Sequence, residues 1–230
     1  MAVAIIADSH LGGPGGDGEE LVEQLRRLPS QGCRHLILLG DIFHVWVGSR
    51  SFETDEVRKV MPELRSLREQ GVRVEYVEGN RDFFIQKSPY ADAFDRIALE
   101  TSCEIDGERH LFVHGDGLND QDWQYRFWRR LSKSLPVRLM ILNLPTRVAQ
   151  SFVRSTEQKL AKTNFKHRKR IPEEAIRAYG ARRLVEGYAS LRLGHFHEPH
   201  HFPLAEGGEV LCLDAWFRSR KVEWLGSPNS

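Results

Sequence analysis

The segment Ala2-Val3-Ala4-Ile5-Ile6-Ala7-Asp8-Ser9-His10 joins six apolar residues directly to a polar cluster. A short apolar run of this kind is typical of a buried strand, and ligands of open α/β sheets collect beyond the carboxyl ends of such strands. The same pattern recurs further along the chain. The predicted buried strands are residues 3–7, 35–39, 72–77, 110–113 and 191–193.

Amphipathic helical patterns separate these predicted strands. The first helix begins after Asp17 as its cap, with Glu20 three residues later, and the second ends near Gly71. The third runs from Pro172 to about Gly187. Beyond it, turn residues separate the apolar runs 210–217 and 221–225, which indicates an antiparallel ending. The chain is therefore predicted to be an α/β protein with a mixed sheet or a two-sheet sandwich.

Composition narrows the class of protein. The 230 residues are 40% hydrophobic and 28% charged, which excludes a disordered chain and suits one domain spanning residues 1–230. We find no apolar stretch of the ~20 residues that span a bilayer, and no basic start of a secretory signal. Cys33, Cys103 and Cys212 form no close pair, so no disulfide framework is expected. These features predict a cytoplasmic protein.

Charge is distributed unevenly along the chain. Residues 123–170 hold thirteen Lys or Arg against one acid, Glu157, a net charge of +12. The remaining 20 bases and 31 acids leave −11 for the rest. Large apolar residues are interleaved with these bases, a pattern typical of a segment that contacts an anionic membrane. We predict an inserted basic helical lid at about residues 120–170, although packing of apolar helix faces against the core accounts for part of the pattern.

A polar motif follows each predicted strand. The five motifs are Asp8-Ser9-His10, Gly40-Asp41, Gly79-Asn80-Arg81-Asp82, His114-Gly115-Asp116 and Gly194-His195-Phe196-His197. Because the strand ends converge, seven potential ligands of a divalent transition metal are expected to lie together. They are Asp8, His10, Asp41, Asn80, His114, His195 and His197. Seven groups are too many for one ion but suit two ions that share Asp41 as a bridge.

The ordered set of motifs resembles the calcineurin-like metallophosphoesterases. This resemblance implies a four-layer α/β/β/α sandwich with a dinuclear metal centre. Arg81 stands where most members have histidine, and together with the motif at residues 40–48 and the basic insert it looks like the UDP-2,3-diacylglucosamine hydrolases. Those enzymes cleave a nucleotide diphospholipid during lipid A synthesis. The chain departs from them at His44, where a glutamate is usual, and at the residues that follow His195 and His197.

The resemblance and the residue types together assign roles. One ion is predicted on Asp8, His10, Asp41 and His197, and the other on Asp41, Asn80, His114 and His195. Asp41, Asn80 and Arg81 are the predicted catalytic residues, with the Arg81 guanidinium binding phosphate oxygens. Asp82 and Asp116 either orient histidine rings or cap local turns. The resemblance implies substrate contacts at Asn80, Arg81, Asp122, Asn164, Lys166 and His195.

The expected cofactors are two divalent ions, Mn²⁺ first, with Fe²⁺, Zn²⁺ or Mg²⁺ as alternatives. The expected substrate is a nucleotide-linked acylated sugar lipid. The protein is expected to bind peripherally to the cytoplasmic face of the anionic inner membrane. No stable nucleic-acid partner is expected, and the sequence does not predict an oligomeric state. Two other functions stay open: a generic phosphodiesterase or nuclease of the same superfamily, and a metal-free scaffold on this fold.

Overall fold

The computed structural model describes residues 2–118, 123–145, 147–148, 151, 155, 171–205 and 207–227. Two five-stranded sheets carry the fold. The first contains, in spatial order, β12 (Glu223–Leu225), β1 (Ala2–Ile6), β2 (Cys33–Leu38), β4 (Arg73–Val77) and β6 (Arg96–Ala98). Strands β1, β2, β4 and β6 are parallel to one another, and β12 is antiparallel to β1.

The second sheet is mixed. It contains, in spatial order, β10 (His200–Pro203), β11 (Glu209–Cys212), β9 (Ser190–Leu193), β8 (Glu108–Val113) and β7 (Glu100–Ile105). Its three inner strands are parallel, and its two edge strands are antiparallel to their neighbours. A two-stranded parallel sheet, β3 (Trp46–Val47) and β5 (Asp82–Phe83), lies apart from both. The predicted two-sheet sandwich is confirmed.

Successive side chains along a strand point to opposite faces of the sheet, and this alternation explains the layers. In β1, Ala4 and Ile6 pack against two helices, α1 (Gly18–Arg27) and α2 (Asp55–Glu69), whereas Val3 and Ile5 pack toward the second sheet. The opposite face of the second sheet is covered by α5 (Glu173–Val185). Each sheet is therefore buried on both sides, which makes its strands almost continuously apolar. The four-layer α/β/β/α prediction is confirmed.

Local signals place the helix ends. The Asp17 carboxylate accepts hydrogen bonds from the backbone N–H groups of Glu19 and Glu20, so α1 begins at the expected cap. The expected ending needs a correction. Strand β11 stops at Cys212, and a short helix, α6 (Trp216–Ser219), follows it, so 210–217 is not one extended run. Trp216 is buried, and its backbone N–H donates to the Ala7 carbonyl at 2.9 Å, which holds the chain in this helical turn.

Among the described residues that come after β8 are the helices α3 (Trp123–Ser132) and α4 (Leu135–Leu142). Ile141 of α4 is buried against Val45, Val47 and Phe52, beside the small sheet. The predicted lid at about 120–170 is described in its first half, and most of its second half lies outside the described residues. Within the part of the chain that the structure covers, no helix combines the length and apolar character needed to cross a membrane.

Candidate metal centre

The carboxyl ends of five strands meet at one edge of the sandwich. Asp8 follows β1, Asp41 follows β2, Asn80 follows β4, His114 follows β8 and His195 follows β9. The parallel pairing of β1 with β2 and β4, and of β8 with β9, brings these ends together. The structure therefore joins loops up to 187 residues apart in sequence into one cluster.

Backbone conformation distinguishes these loops. Five of the seven predicted ligands have a positive φ: Asp8 (51°), His10 (46°), Asp41 (51°), His195 (67°) and His197 (62°). Such left-handed backbone is uncommon for residues other than glycine, although Asp, Asn and His adopt it more often than most. Strained conformations of this kind concentrate at functional sites, where the surrounding structure holds them.

The first group of ligands comprises Asp8, His10 and His197, all buried. The Nε2 atoms of His10 and His197 lie 3.0 Å apart. The Asp8 Oδ1 atom lies 3.2 Å from Nε2 of His197 and 3.8 Å from Nε2 of His10. Two imidazole nitrogens and one carboxylate oxygen thus face a common point, as one metal ion requires.

The second group shares Asp8 with the first and adds Asp41 and His114. Nε2 of His114 lies 3.7 Å from Oδ2 of Asp41. The amide oxygen of Asn80 lies 3.2 Å from that same nitrogen and 3.1 Å from Nδ1 of His195. All seven predicted ligands are therefore in one cluster, and Asp8 is the residue that both groups share.

Unsatisfied polar atoms indicate that the cluster suits cations. Asp8 Oδ1 is buried and accepts no hydrogen bond, although folded proteins rarely leave a buried carboxylate oxygen without a donor. Three of its neighbours, His10, His197 and His114, present nitrogen atoms that ligate metals in the neutral imidazole. The donor set of carboxylate, amide and imidazole groups fits two divalent ions of the Mn²⁺, Fe²⁺ or Zn²⁺ type.

Groups outside the ligand set orient it. Nδ1 of His114 donates to the Leu39 carbonyl at 2.9 Å, which leaves Nε2 of His114 as the atom facing Asp41. The backbone N–H of His195 donates to Asp8 Oδ2 at 2.8 Å. A Cβ at position 194 would lie 2.6 Å from that same oxygen, so Gly194 permits the close approach of its loop. The rim of the cluster includes Phe217, whose ring packs against those of His10 and His197.

Charges within the cluster depend strongly on one another. Burial raises the pKa of Asp41 to about 7. Burial would lower the pKa of His114, but the carboxylates of Asp41 and Asp8 raise it to about 9. Burial and the neighbouring His114 lower the pKa of His195 to about 4. A bound cation favours deprotonated carboxylates and neutral imidazoles, so metal binding is expected to release protons from this cluster.

Arg81 lies beside the ligands and is itself buried, with an exposed fraction of 4%. Its Nε lies 3.6 Å from Asp41 Oδ2, and its backbone N–H donates to Asp41 Oδ1 at 2.9 Å. Its Nη1 lies 2.9 Å from Nδ1 of His44. The structure therefore places Arg81 against a predicted ligand and against His44, which faces the site.

Asp82 contacts main-chain N–H groups, whereas Asp116 pairs with helix α3 and also acts on His114 and His195 through its charge. Asp82 Oδ2 accepts the N–H groups of Gly79 at 2.7 Å and of Asp41 at 3.1 Å, so it ties two ligand loops together. Asp116 forms an ion pair with Arg129 of α3, with 2.7 Å between Oδ2 and Nε. For Asp82, the turn-capping alternative is the one that these contacts support.

Sequence reasoning missed a link between α3 and the cluster. Lys133, just beyond α3, donates to the Gly79 carbonyl at 2.9 Å, and its Nζ lies 3.8 Å from Glu78 Oε2. A lysine within a basic run carries no signal of such a contact. The predicted substrate contacts Asp122, Asn164 and Lys166 lie outside the described residues.

Fold and cluster together define a metal-dependent phosphohydrolase, and comparisons with known proteins specify the family. The model of the calcineurin-like phosphoesterase superfamily domain matches residues 1–135. A UDP-2,3-diacylglucosamine hydrolase of Ralstonia nicotianae is 31% identical over 226 residues, covering 93% of this chain and 83% of the relative. One from Edwardsiella ictaluri is 32% identical over 235 residues, covering 94% and 85%.

Solved structures agree on the fold. A dimetal phosphatase from Danio rerio superposes with a TM-score of 0.50 at 17% identity, covering 94% of this chain and 87% of that one. The chain belongs to the calcineurin-like phosphoesterase superfamily and, within it, to the family of the UDP-2,3-diacylglucosamine hydrolases. The predicted family and enzyme class are confirmed, and the metal-free scaffold is not supported.

Proposed function

We propose that this enzyme hydrolyses UDP-2,3-diacylglucosamine to UMP and 2,3-diacylglucosamine 1-phosphate, a step of lipid A biosynthesis. The observation that carries the proposal is the similarity to hydrolases of that name over more than nine tenths of the chain. The cluster at the sheet edge supplies the ligand types that the reaction needs. Two divalent ions, when bound, would supply Lewis acidity that activates water and neutralises phosphate charge.

We assign the ligands as follows. Asp8, His10, Asp41 and His197 would hold one ion, and Asp41, Asn80, His114 and His195 the other. The proposal is supported by the two buried ligand groups, which already bring carboxylate oxygens and imidazole nitrogens within reach of one another. Mn²⁺ is the proposed metal because the donors are mixed oxygen and nitrogen atoms without a thiolate.

The chain's own residues would bind and orient the diphosphate. The Arg81 guanidinium lies at the edge of the cluster and would donate to phosphate oxygens whose charge increases in the transition state. The amide oxygen of Asn80 lies 3.1 Å from Nδ1 of His195, and both side chains would contact the same phosphate. Asp122, Asn164 and Lys166 are proposed to contact the rest of the nucleotide lipid.

The helices after β8 present an apolar surface. Side chains exposed by at least 40% are Phe127, Leu131, Leu135, Leu139 and Met140. Large apolar residues exposed in such number often mark a surface that contacts a protein or a membrane. Together with the +12 charge of residues 123–170, this surface supports a lid that contacts the anionic membrane and the acyl chains of the substrate.

A turnover panel tests the proposed substrate. Protein loaded with Mn²⁺ is given UDP-2,3-diacylglucosamine, bis-p-nitrophenyl phosphate and single-stranded DNA in parallel. We expect kcat/KM to be highest for the nucleotide lipid, with slower hydrolysis of the small diester. Preferred cleavage of DNA would instead support the nuclease alternative, and hydrolysis of the small diester alone would mean that the lipid is not the substrate.

Vesicle binding tests the apolar surface. Leu139→Glu combined with Met140→Glu should weaken binding to vesicles of phosphatidylglycerol and phosphatidylcholine by about tenfold, because both side chains are more than half exposed. Val185→Glu is the matched control, since Val185 is 90% exposed but lies on α5. All variants should hydrolyse bis-p-nitrophenyl phosphate like the wild type. Equal loss of vesicle binding in the control would contradict a specific contact through α4.

A further inference from the structure

The Arg81 guanidinium contacts His44, a residue that is not among the predicted metal ligands. Nη1 of Arg81 lies 2.9 Å from Nδ1 and 3.4 Å from Nε2 of His44, and it donates to the His44 carbonyl at 3.3 Å. The other flank of Arg81 faces Asp41, with 3.6 Å between Nε and Oδ2. The position of the guanidinium is thus defined from two sides.

His44 is fixed independently of Arg81. Its backbone N–H donates to the Leu11 carbonyl at 2.9 Å, and its side chain is buried. A Cβ at position 13 would lie 2.5 Å from His44 Nδ1, so the imidazole fills the space that Gly13 leaves open. The His10 ring packs against it at a centroid distance of 5.9 Å. A ring packed on this many sides is a rigid support for its partner.

We propose that His44 is the positioning residue for Arg81: the neutral imidazole accepts a hydrogen bond from Nη1 and aims the guanidinium at the phosphate. The proposal rests on the phosphate-binding role of Arg81 given above. Of the groups that hold the guanidinium here, Asp41 is committed to the metals, so His44 supplies the directional contact. A displacement of about 1 Å in such a group is enough to cost a large part of a rate enhancement.

The chemistry of the acceptor matters as much as its place. A guanidinium paired with a second carboxylate would have much of its charge compensated, whereas a neutral ring nitrogen orients it and leaves the charge available to phosphate oxygens. In a buried site this distinction is large because the local dielectric screens little. His44 therefore suits an arginine that must be held still but remain electrostatically attractive to an anion.

Two substitutions separate the hydrogen bond from packing. In His44→Asn, the amide oxygen can occupy the place of Nδ1 and accept from Arg81, whereas His44→Leu fills similar space without an acceptor. With bis-p-nitrophenyl phosphate and Mn²⁺, His44→Leu is expected to lower kcat by about tenfold or more with little change in KM, the scale of a lost charge-assisted hydrogen bond. His44→Asn should stay within about threefold of the wild type.

Two further measurements do not depend on turnover. Binding of inorganic phosphate to the Mn²⁺-loaded protein, followed by calorimetry, should weaken about tenfold in His44→Leu and little in His44→Asn. In an Arg81→Met background, His44→Leu should have no further effect, because coupled residues give non-additive losses. Gly13→Ala should also weaken phosphate binding, since the added Cβ would lie 2.5 Å from His44 Nδ1. Because that Cβ would also lie 3.1 Å from the His10 carbonyl, the metal content of this variant is measured as well. Metal content by elemental analysis should be unchanged in every His44 variant.

The outcomes are distinct. Equal losses in His44→Asn and His44→Leu, additive losses with Arg81→Met, or loss of metal would overturn the positioning role. Failure of the wild type to hydrolyse the nucleotide lipid would overturn the proposed substrate, but the phosphate-binding series would still decide the role of His44.

Discussion

Asp82 offers the sharpest test of how the ligand loops are held. Its side chain is fully buried, and a single oxygen, Oδ2, accepts the backbone N–H groups of both Gly79 and Asp41. Asp82→Leu keeps the branching of the side chain, adds some volume, and leaves both N–H groups buried without an acceptor. Each unsatisfied donor costs about 1–3 kcal/mol, so the free energy of unfolding should fall by about 2–6 kcal/mol. This is a large fraction of the ~5–15 kcal/mol of an ordinary domain.

Asp82→Asn should behave differently. Its amide oxygen can accept both N–H groups, since both donors converge on one acceptor atom. The variant loses the assistance of a charge, but burial raises the pKa of Asp82, which means that the folded protein disfavours the ionised carboxylate. These two effects oppose each other, and we expect a change within about 1 kcal/mol.

Urea unfolding followed by tryptophan fluorescence measures the difference, because Trp46 and Trp216 are buried in the fold. The experiment is performed in EDTA, so that altered metal binding does not shift the midpoint. Equal stability of Asp82→Leu and wild type would refute the reasoning, and so would an Asp82→Asn variant as unstable as Asp82→Leu. The latter result would mean that charge, and not the two hydrogen bonds, holds the loops.

Three further predictions concern the metal content, the role of Arg81 and one surface ion pair. Mn²⁺-loaded wild type should contain two ions per chain by elemental analysis, and Asp41→Ala should lose more than one; a single ion in the wild type would contradict a shared bridge. Arg81→Ala should keep its metal and lose about 10²–10³-fold in kcat, the scale of one transition-state contact; loss of metal would show a structural role instead. Although partial burial acts to raise the pKa of Asp95, its hydrogen bonds to Arg68 and to the backbone lower it overall. Its stabilising effect should therefore be complete above the unfolded pKa of about 3.9 and lost as the pH falls through the lowered value, so the stability difference between wild type and Asp95→Asn should shrink below pH ~4.

The strand ends were predictable because two signals coincide there. A buried parallel strand reads as a short apolar run, and polar residues directly after it have no packing role in the core. Asp8 and Asp41 show both signals, so their convergence could be inferred from the sequence alone. The same pattern indicates an α/β protein with a mixed sheet or a two-sheet sandwich, whereas the four-layer arrangement is implied by the family resemblance.

Other parts of the site carry no local signal. The contact between Arg81 and His44 joins residues 37 positions apart, and the identity of neither residue specifies the other. The link from Lys133 to the Gly79 carbonyl spans 54 positions and ends on a backbone atom, which every residue possesses. Phe217 contacts His10 and His197 because the chain forms a short helix after β11. The apolar pattern of that segment instead predicts an extended run.

The left-handed backbone at the ligand positions has a consequence for the choice of metal. Among residues with side chains, Asp, Asn and His are those that tolerate positive φ most readily, and all of them bind metals through oxygen or nitrogen. A cysteine at Asp8, His10 or His197 would have to meet the same conformational demand without that tolerance. Main-chain geometry thus disfavours sulfur donors at these positions, and it favours a centre for ions that accept oxygen and nitrogen ligands.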